Sequence, residues 1–345
     1  MKILITGGAG FVGKNLIRAM KEVGFNPVDI TVIDKNEANL NFVKNLGVTA
    51  VLADLSLPGQ WGDNFDHQDL VITLQAQISG SQYDLFRKNN VDATQNVIAA
   101  AKKFGVKKII HFSSAAVLSV RQDFYATTKK AGDELVKNSR LSYVILQPSL
   151  MYGPLDDKNI GWLINFAKKC PIFPIPGNGQ YPRQPIYIDD MSHLVIEFIK
   201  NFPSENEATR NEIARGSSGA RPQPSIEVGQ SYRAPSLDQS RGLTEIRSAK
   251  AGRVYSINGQ QIINFREIIS TVLKNMGGLR LAIYLPLPIF LFLLRIYDIL
   301  FKSPFTPDQI KSLTSGDVFP EYPWWDEFKI EMTSFDQGVK NMLIK

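Results

Sequence analysis

Short apolar runs alternate with amphipathic stretches through the first half of the chain. The stretch from the first glycine turn to about Val23 has helical spacing of its apolar positions. Five runs of four or five residues, rich in aliphatic and β-branched side chains, are typical of buried strands: 2–6, 29–33, 50–53, 70–74 and 108–112. Strands that alternate with helices predict a doubly wound α/β fold of the Rossmann type, built on a parallel sheet.

The pattern after the fifth strand predicts a second, smaller unit. Residues 1–150 are assigned to the sheet-forming domain, and 188–203 and 252–257 add a helix and a further strand to it. Residues 151–187 and 258–345 are expected to form a mostly helical substrate domain. The two domains are therefore expected to be interleaved along the chain.

Residues 209–250 interrupt this pattern. The segment holds six arginines and one lysine against four acidic residues, and it is rich in Ser, Gln, Pro and Gly. It shows neither a helical nor a strand period and carries little apolar surface, which predicts a disordered insert without function. The alternative is a basic arm that binds nucleic acid, but no pattern of stacking aromatic residues accompanies the arginines.

Composition argues against several kinds of site. A single cysteine, Cys170, allows neither an intrachain disulfide nor a cysteine metal cluster. The scattered His67, His111 and His193 disfavour a metal site and are expected at core or surface positions. The first strand starts at residue 2 and leaves no room for a signal peptide, so the expected location is cytoplasmic. The net charge of +6 does not by itself indicate a surface that binds nucleic acid.

A glycine-rich turn follows the first strand and predicts a dinucleotide site. Gly7, Gly10 and Gly13 have the spacing G-x-x-G-x-x-G directly before a helix. The first permits a tight turn, the second lets a pyrophosphate approach the backbone, and the third allows close packing of helix on strand. Phe11 and Val12 lie at the start of the helix, where backbone N–H groups can bind phosphate.

Acidic residues close the second and third strands. Asp34 lies about twenty residues past the glycine turn, where a carboxylate accepts hydrogen bonds from the adenosine ribose. It would also repel a 2′-phosphate, which favours NAD over NADP, although the neighbouring Lys35 weakens that preference. Asp54 and Leu55 follow the third strand and are expected to contact the adenine.

Two more strand ends are expected at the same crevice. The fourth strand runs into Leu74, Gln75 and Ala76, and the fifth ends in Ser113 and Ser114. Ligands of open parallel sheets bind where the strand order reverses, at the carboxyl ends of the strands. We therefore expect these residues beside the bound cofactor.

Tyr125 and Lys129 lie four residues apart at the start of a predicted helix, on one face. An ammonium beside a phenol lowers the phenol's pKa from about 10. Tyr125 could then exchange a proton near neutral pH while hydride moves to or from a nicotinamide, with Ser114 holding the substrate oxygen. The alternative is an ordinary helix with a tyrosine and a lysine on its surface.

In this order, the motifs resemble the extended short-chain dehydrogenase/reductase family, the NAD-dependent epimerases and dehydratases. The matching segments are TGGAGFVG, FSSAAV, YATTK, QPSLMYGP and IYIDD. The resemblance implies that Ser114, Tyr125 and Lys129 are catalytic and that Lys129 also holds the nicotinamide ribose. It further implies a structural role for Asn90 and a cofactor contact for Pro148.

Departures from the family pattern concern the substrate. The segment between Ser114 and Tyr125 is much shorter than in sugar-nucleotide epimerases. The family's V-Y-G is replaced by residues 117–119 (VLS), and its arginine before proline is Gln147. The resemblance implies that Arg183 binds a substrate diphosphate. From the sequence alone, Arg183 is equally compatible with a charged position on the surface.

Two stretches, residues 183–190 and 304–309, are similar to an atypical branch related to an accessory subunit of respiratory complex I. Some members of that branch bind a nicotinamide cofactor without turnover.

Two hypotheses about function follow from the motifs. The first is an NAD-dependent oxidoreductase or epimerase acting on a secondary alcohol, including that of a nucleotide sugar. The second is a non-catalytic NAD(P)H-binding accessory or assembly protein. The resemblance also makes a homodimer an option.

The most apolar region, residues 281–301, is broken by Pro286 and Pro288 and carries charges near its end. It is therefore too short and too polar to span a bilayer. Residues 289–302 are predicted to form a helix buried in the substrate domain. The alternative is a surface helix that contacts a membrane or a hydrophobic partner.

Overall fold

The computed structural model of the chain describes residues 1–119, 122–202, 252–301, 314, 316, 318–319 and 322–344. The predicted insert, 209–250, lies outside the described residues. The strands are β1 (Ile3–Thr6), β2 (Ile30–Asp34), β3 (Thr49–Leu52), β4 (Leu70–Thr73), β5 (Lys108–Phe112), β6 (Ser142–Pro148), β7 (Met151–Tyr152), β8 (Ile172–Pro176), β9 (Pro182–Arg183), β10 (Ile186–Tyr187), β11 (Arg253–Ile257), β12 (Ile263–Asn264) and β13 (Leu281–Leu285).

The helices lie between these strands and after them. The α-helices are α1 (Phe11–Glu22), α2 (Glu37–Lys44), α3 (Tyr83–Phe86), α4 (Ala93–Lys103), α5 (Phe124–Lys137), α6 (Ile160–Lys169), α7 (Ile188–Lys200), α8 (Phe265–Met276), α9 (Leu287–Phe301), α10 (Trp324–Phe328) and α11 (Phe335–Leu343). Short 3₁₀ turns cover Pro27–Asp29, Gln60–Phe65 and Ala115–Leu118, and a π-helical turn covers Arg87–Asp92. Among the described helices, none combines the length and the hydropathy that a bilayer-spanning segment needs.

Seven of the strands form one parallel sheet in the order β11-β6-β5-β4-β1-β2-β3. From β1 the chain builds outward to β2 and β3, and it then returns to the other side of β1 with β4. The strand order therefore reverses between β1 and β4, which is where open α/β sheets bind their ligands. This confirms the predicted doubly wound fold of the Rossmann type.

The sheet is buried on both faces because helices cover both. Ile3 and Ile5 of β1 belong to one hydrophobic cluster, which also contains side chains of α1 and α7. Leu4, which points to the opposite face, belongs to a second cluster with side chains of α4 and α5. A strand with apolar neighbours on both faces reads as a continuous hydrophobic run, and this explains why the sequence revealed these strands so clearly.

A third hydrophobic cluster lies in the later part of the chain, among side chains of α6, α8 and α11. Three two-stranded pairs frame it: β7 with β10, β8 with β13, and β9 with β12. The expectation of a mostly helical unit missed these pairs. Strands of two to five residues that pair across long stretches of chain leave too short a pattern to be recognised in the sequence.

Candidate active site

The glycine turn between β1 and α1 has room for a phosphate group beside its backbone. Gly7 adopts φ +67°, and a Cβ there would lie 2.4 Å from the Gln75 backbone nitrogen, so the turn requires glycine. A Cβ on Gly10 would come near Gly7 alone, at 3.4 Å from its carbonyl oxygen. No side chain caps the start of α1, where Phe11 and Val12 line a large cavity. The backbone N–H groups at the start of α1 and the space beside Gly10 suit a pyrophosphate.

Gly13 has a packing role, as the spacing predicts. A Cβ at this position would lie 2.2 Å from the Gly8 carbonyl oxygen. Gly13→Ala is therefore expected to lower the free energy of unfolding by about 2 kcal/mol or more, as measured by urea denaturation. Gly62→Ala is the matched control because its nearest neighbour, the Ala100 Cβ, lies 3.9 Å away. Equal stability of the two variants would contradict the packing role.

Asp34 ends β2 beside the glycine turn. Its carboxylate accepts hydrogen bonds from the backbone N–H groups of Ala9 (3.1 Å) and Asn36 (3.0 Å). The ammonium of Lys35 donates to the Asn89 Oδ1 at 2.5 Å, so this cation is held by a different partner. The carboxylate thus lies next to the phosphate turn, where a ribose would follow.

Like Asp34, the predicted cofactor residues Asp54, Leu55 and Gln75 do not line the cavity. Asp54 accepts hydrogen bonds from the backbone and hydroxyl of Ser56, at 3.0 and 2.6 Å. Leu55 is buried in the second hydrophobic cluster, so any adenine contact would come from its backbone. Gln75 accepts a hydrogen bond from the Thr6 hydroxyl at 2.6 Å, beneath the crevice.

A cavity of about 780 Å³ runs from the glycine turn past the ends of β4, β5 and β6 into the later part of the chain. It brings together most of the predicted site. The predicted residues that line it are Gly7, Gly10, Phe11, Val12, Leu74, Ala76, Ser113, Ser114, Tyr125, Lys129, Pro148 and Arg183. Lys14 and Asn39, which the sequence reasoning missed, also line it at the glycine end, and the lysine donates to the asparagine Oδ1 at 2.8 Å.

Helix α5 positions the tyrosine and the lysine. Its N-cap, Asp123, accepts a hydrogen bond from the Ala126 N–H at 2.8 Å, which fixes the start of the helix one residue before Tyr125. Tyr125 is half-buried, and its phenol is close enough to the Ser114 hydroxyl, just past β5, for that hydroxyl to influence its pKa. A phenol and a serine hydroxyl thus both lie on the cavity wall.

The expected lowering of the tyrosine pKa is wrong for this structure. Burial raises the pKa of Tyr125 above its usual value, and the neighbouring Ser114 hydroxyl opposes that shift. The Lys129 ammonium donates to the Phe112 carbonyl at 2.5 Å, so it is directed to the end of β5. Tyr125 is accordingly a protonated phenol at neutral pH, poised to donate a proton.

Lys129 is 2% exposed, and a buried polar network that the sequence reasoning missed lies around it. Burial lowers the pKa of Lys129 to about 8, and the charge of Asp133 opposes that shift. Asp133 accepts hydrogen bonds from Ser113 (2.8 Å) and Gln147 (3.1 Å), and its other oxygen lies 3.5 Å from the His111 Nε2. The position of Asp133, four residues after Lys129 on the same helix, is the signal that could have found it.

Asn90 lies in the π-helical turn before α4 and joins two neighbouring segments. Its side-chain oxygen accepts from the Gln77 N–H at 2.7 Å, and its side-chain nitrogen donates to the Gln77 carbonyl at 3.1 Å. The same nitrogen donates to the Thr128 hydroxyl at 3.0 Å. Asn90 therefore ties the segment after β4 to helix α5 beside Lys129.

Arg183 lines the cavity from β9. One of its guanidinium nitrogens donates to the Pro182 carbonyl at 2.8 Å. For metals, the described ranges contain no group of three or more His, Cys, Asp or Glu side chains arranged to hold an ion.

The chain is similar to two curated bacterial reductases. It is 26% identical to a ceramide reductase from Caulobacter vibrioides, over 57% of this chain and 61% of that protein. It is 28% identical to a 2-alkyl-3-oxoalkanoate reductase from Stenotrophomonas maltophilia, over 55% of this chain and 62% of that protein. The chain thus spans about three fifths of the length of these relatives.

A solved structure and a family model complete the comparison. The structure of a UDP-glucuronic acid 4-epimerase from Bacillus cereus in complex with NAD matches 99% of this chain and 97% of its own, with a TM-score of 0.66 and 19% identity. That likeness shows a shared fold. The model of the NAD dependent epimerase/dehydratase family matches residues 3–210, more than half of the sequence. The chain belongs to the NAD dependent epimerase/dehydratase family.

Proposed function

We propose that this chain catalyses nicotinamide-dependent hydride transfer at a secondary alcohol or the corresponding ketone. The observation that carries the proposal is the placement of Ser114 and Tyr125 together on the wall of a cavity that is continuous with the glycine turn. A proton donor and an oxygen-holding hydroxyl thus lie at one point of a space that also reaches the phosphate turn.

NAD, when bound, would supply the hydride acceptor, and its reduced form the hydride donor. Gly10 and the start of α1 would hold its pyrophosphate, and Asp34 its adenosine ribose. The carboxylate of Asp34 favours NAD because a 2′-phosphate would meet a like charge there. Lys129 would hold the nicotinamide ribose.

The proton step follows from the hydroxyl pair. In reduction, Ser114 would donate a hydrogen bond to the carbonyl oxygen, and Tyr125 would give its phenolic proton to that oxygen. In oxidation, the resulting phenolate of Tyr125 would take the proton back from the alcohol oxygen. A protonated Tyr125 at neutral pH suits the reductive direction.

Two more specific substrate classes each have support. Arg183 on the cavity wall and the epimerase structure with the same fold support a nucleotide-sugar substrate. The names of the two reductases support carbonyl reduction. An accessory protein of the complex I type, which binds cofactor without turnover, has less support because Ser114, Tyr125 and Lys129 are all present on one wall. A homodimer and a membrane contact through 289–302 stay predictions.

A substrate panel tests the proposal. The purified chain would be mixed with NADH or NADPH and with ketones, and with NAD and secondary alcohols or nucleotide sugars. Absorbance of the reduced cofactor reports net turnover, and NMR of the sugar reports epimerisation that returns its hydride. Turnover with any class supports the proposal, and tight NAD binding without turnover on the whole panel overturns it.

The pH dependence of cofactor use follows from Lys129. Because its pKa is about 8, the ammonium loses its proton as the pH rises through that value. We expect kcat/KM for the cofactor to fall above about pH 8, since a neutral amine binds the ribose less well. In Lys129→Arg the charge persists, so that decline should be absent. A profile that stays flat past pH 9 in the unaltered chain would contradict this role.

A further inference from the structure

Beyond Tyr125 the cavity continues into the third hydrophobic cluster, and the character of its wall changes. The wall here consists of apolar side chains from α6, α8, α9, β8 and β13. We call this part the apolar arm and define it by Trp162, Leu163, Phe166, Phe173, Ile268 and Leu294. The Trp162 and Phe166 rings stack at 5.1 Å, and Phe166 meets the edge of Phe173 at 5.2 Å. The arm is therefore built as a packed aromatic and aliphatic surface.

Charged groups lie outside the apolar arm. Among the described side chains of the five elements that form it, no Lys, Arg, Asp or Glu lines the cavity. The described cations of the cavity wall lie on other elements: Lys14 on α1, Lys129 on α5, Lys158 in the segment before α6, and Arg183 on β9. Asp156, before α6, already accepts backbone N–H groups from Lys158 (3.0 Å), Asn159 (2.9 Å) and Gly161 (3.0 Å).

We propose that the substrate carries a large uncharged hydrocarbon portion that fills the apolar arm while its carbonyl or hydroxyl group reaches Tyr125. The inference rests on the proposed function, because it names the class of molecule that this site turns over. A diphosphate or a nucleobase in the arm would lose its water without gaining hydrogen-bond partners there. A hydrocarbon gains from the same burial.

A series of methyl ketones of increasing chain length, without charged groups, tests the inference on the unaltered chain. In the presence of NADH, we expect the Kd to fall about fourfold for each added methylene until the arm is full. Tryptophan fluorescence can follow binding because Trp162 lines the arm. A Kd that does not change with chain length, or binding of UDP-sugars but of no ketone, overturns the inference.

Two substitutions on helix α9 localise the effect. Leu294 faces the cavity, whereas Ile296 is 42% exposed on the outer side of the same helix. Leu294→Lys is expected to weaken binding of the longest ketone about 100-fold. The hydrocarbon would then have to pack against a charged ammonium, and burying that charge is unfavourable. Ile296→Lys should leave the Kd unchanged. Equal effects of the two substitutions overturn the assignment of the arm.

Turnover separates this inference from the proposed function. If short ketones are reduced at a rate that requires Tyr125 and chain length has no effect, the proposed function stands and the inference fails. If binding depends on chain length but no member of the whole substrate panel is turned over, the arm stands and the proposed function fails. We expect both dependences together, with kcat/KM rising along the series as the Kd falls.

Discussion

Tyr125→Phe is expected to lower kcat by about a thousandfold, within the range found for removal of a general acid or base. The substitution removes the hydroxyl that shares the cavity wall with Ser114 and leaves the ring in its half-buried place. Binding of NAD should be unchanged, because the glycine turn and Asp34 are untouched. Steady-state turnover and cofactor titration, measured on the same preparation, separate the two effects.

Tyr83→Phe provides the matched control for loss of a phenol hydroxyl nearby. The Tyr83 ring packs edge-on against Phe124, the neighbour of Tyr125, at 5.5 Å between ring centres. Removing the Tyr83 hydroxyl should leave kcat within about twofold of that of the unaltered chain, as expected for a surface substitution. If Tyr125→Phe kept the same rate as this control, the proton-transfer role of Tyr125 would have to be abandoned.

Asp133→Asn is expected to lower the free energy of unfolding by about 3 kcal/mol, because it breaks a buried network that contains a cation. The carboxylate accepts from Ser113 and Gln147 and is 2% exposed. Its charge also opposes the fall in the Lys129 pKa. In the variant that pKa should fall below about 8, and the decline of kcat/KM for the cofactor should start at a lower pH.

The shift of the pH profile distinguishes a positioning role from simple destabilisation. Glu134→Gln is the control on the adjacent residue, whose exposed carboxylate lies 2.8 Å from the Lys137 ammonium. An exposed pair of this kind contributes about 0–1 kcal/mol. The control should keep both its stability and its pH profile. An Asp133→Asn protein with reduced stability but an unshifted profile would show that Asp133 supports the fold alone.

Local pattern was enough to predict the cofactor half of the molecule. The strands of the sheet are buried on both faces, so each appears as an apolar run, and Gly13 is required by a backbone contact with Gly8 in the same turn. Such features depend on residues close together in the chain. The same holds for Tyr125 and Lys129, which share a helical face by spacing alone.

The features of the candidate site that the sequence did not predict depend on tertiary packing. The direction of the Tyr125 pKa shift depends on burial and on where the Lys129 ammonium points, and neither can be inferred from a four-residue spacing. The contact of His111 with Asp133 joins β5 to α5. The apolar arm joins α6 to α9, which are far apart in the chain, and its substrate preference was therefore out of reach of motif analysis.

Trp324 links the later part of the chain to the core of the sheet. The side chain is fully buried in the first hydrophobic cluster, and its indole N–H donates to the Asn258 carbonyl at 2.9 Å, just past β11. A shortened protein that ended before α10 would expose the inner face of β11 and the α7 side chains packed there. We therefore expect the sheet-forming half to be unstable when it is expressed alone, unless the fragment includes this tryptophan.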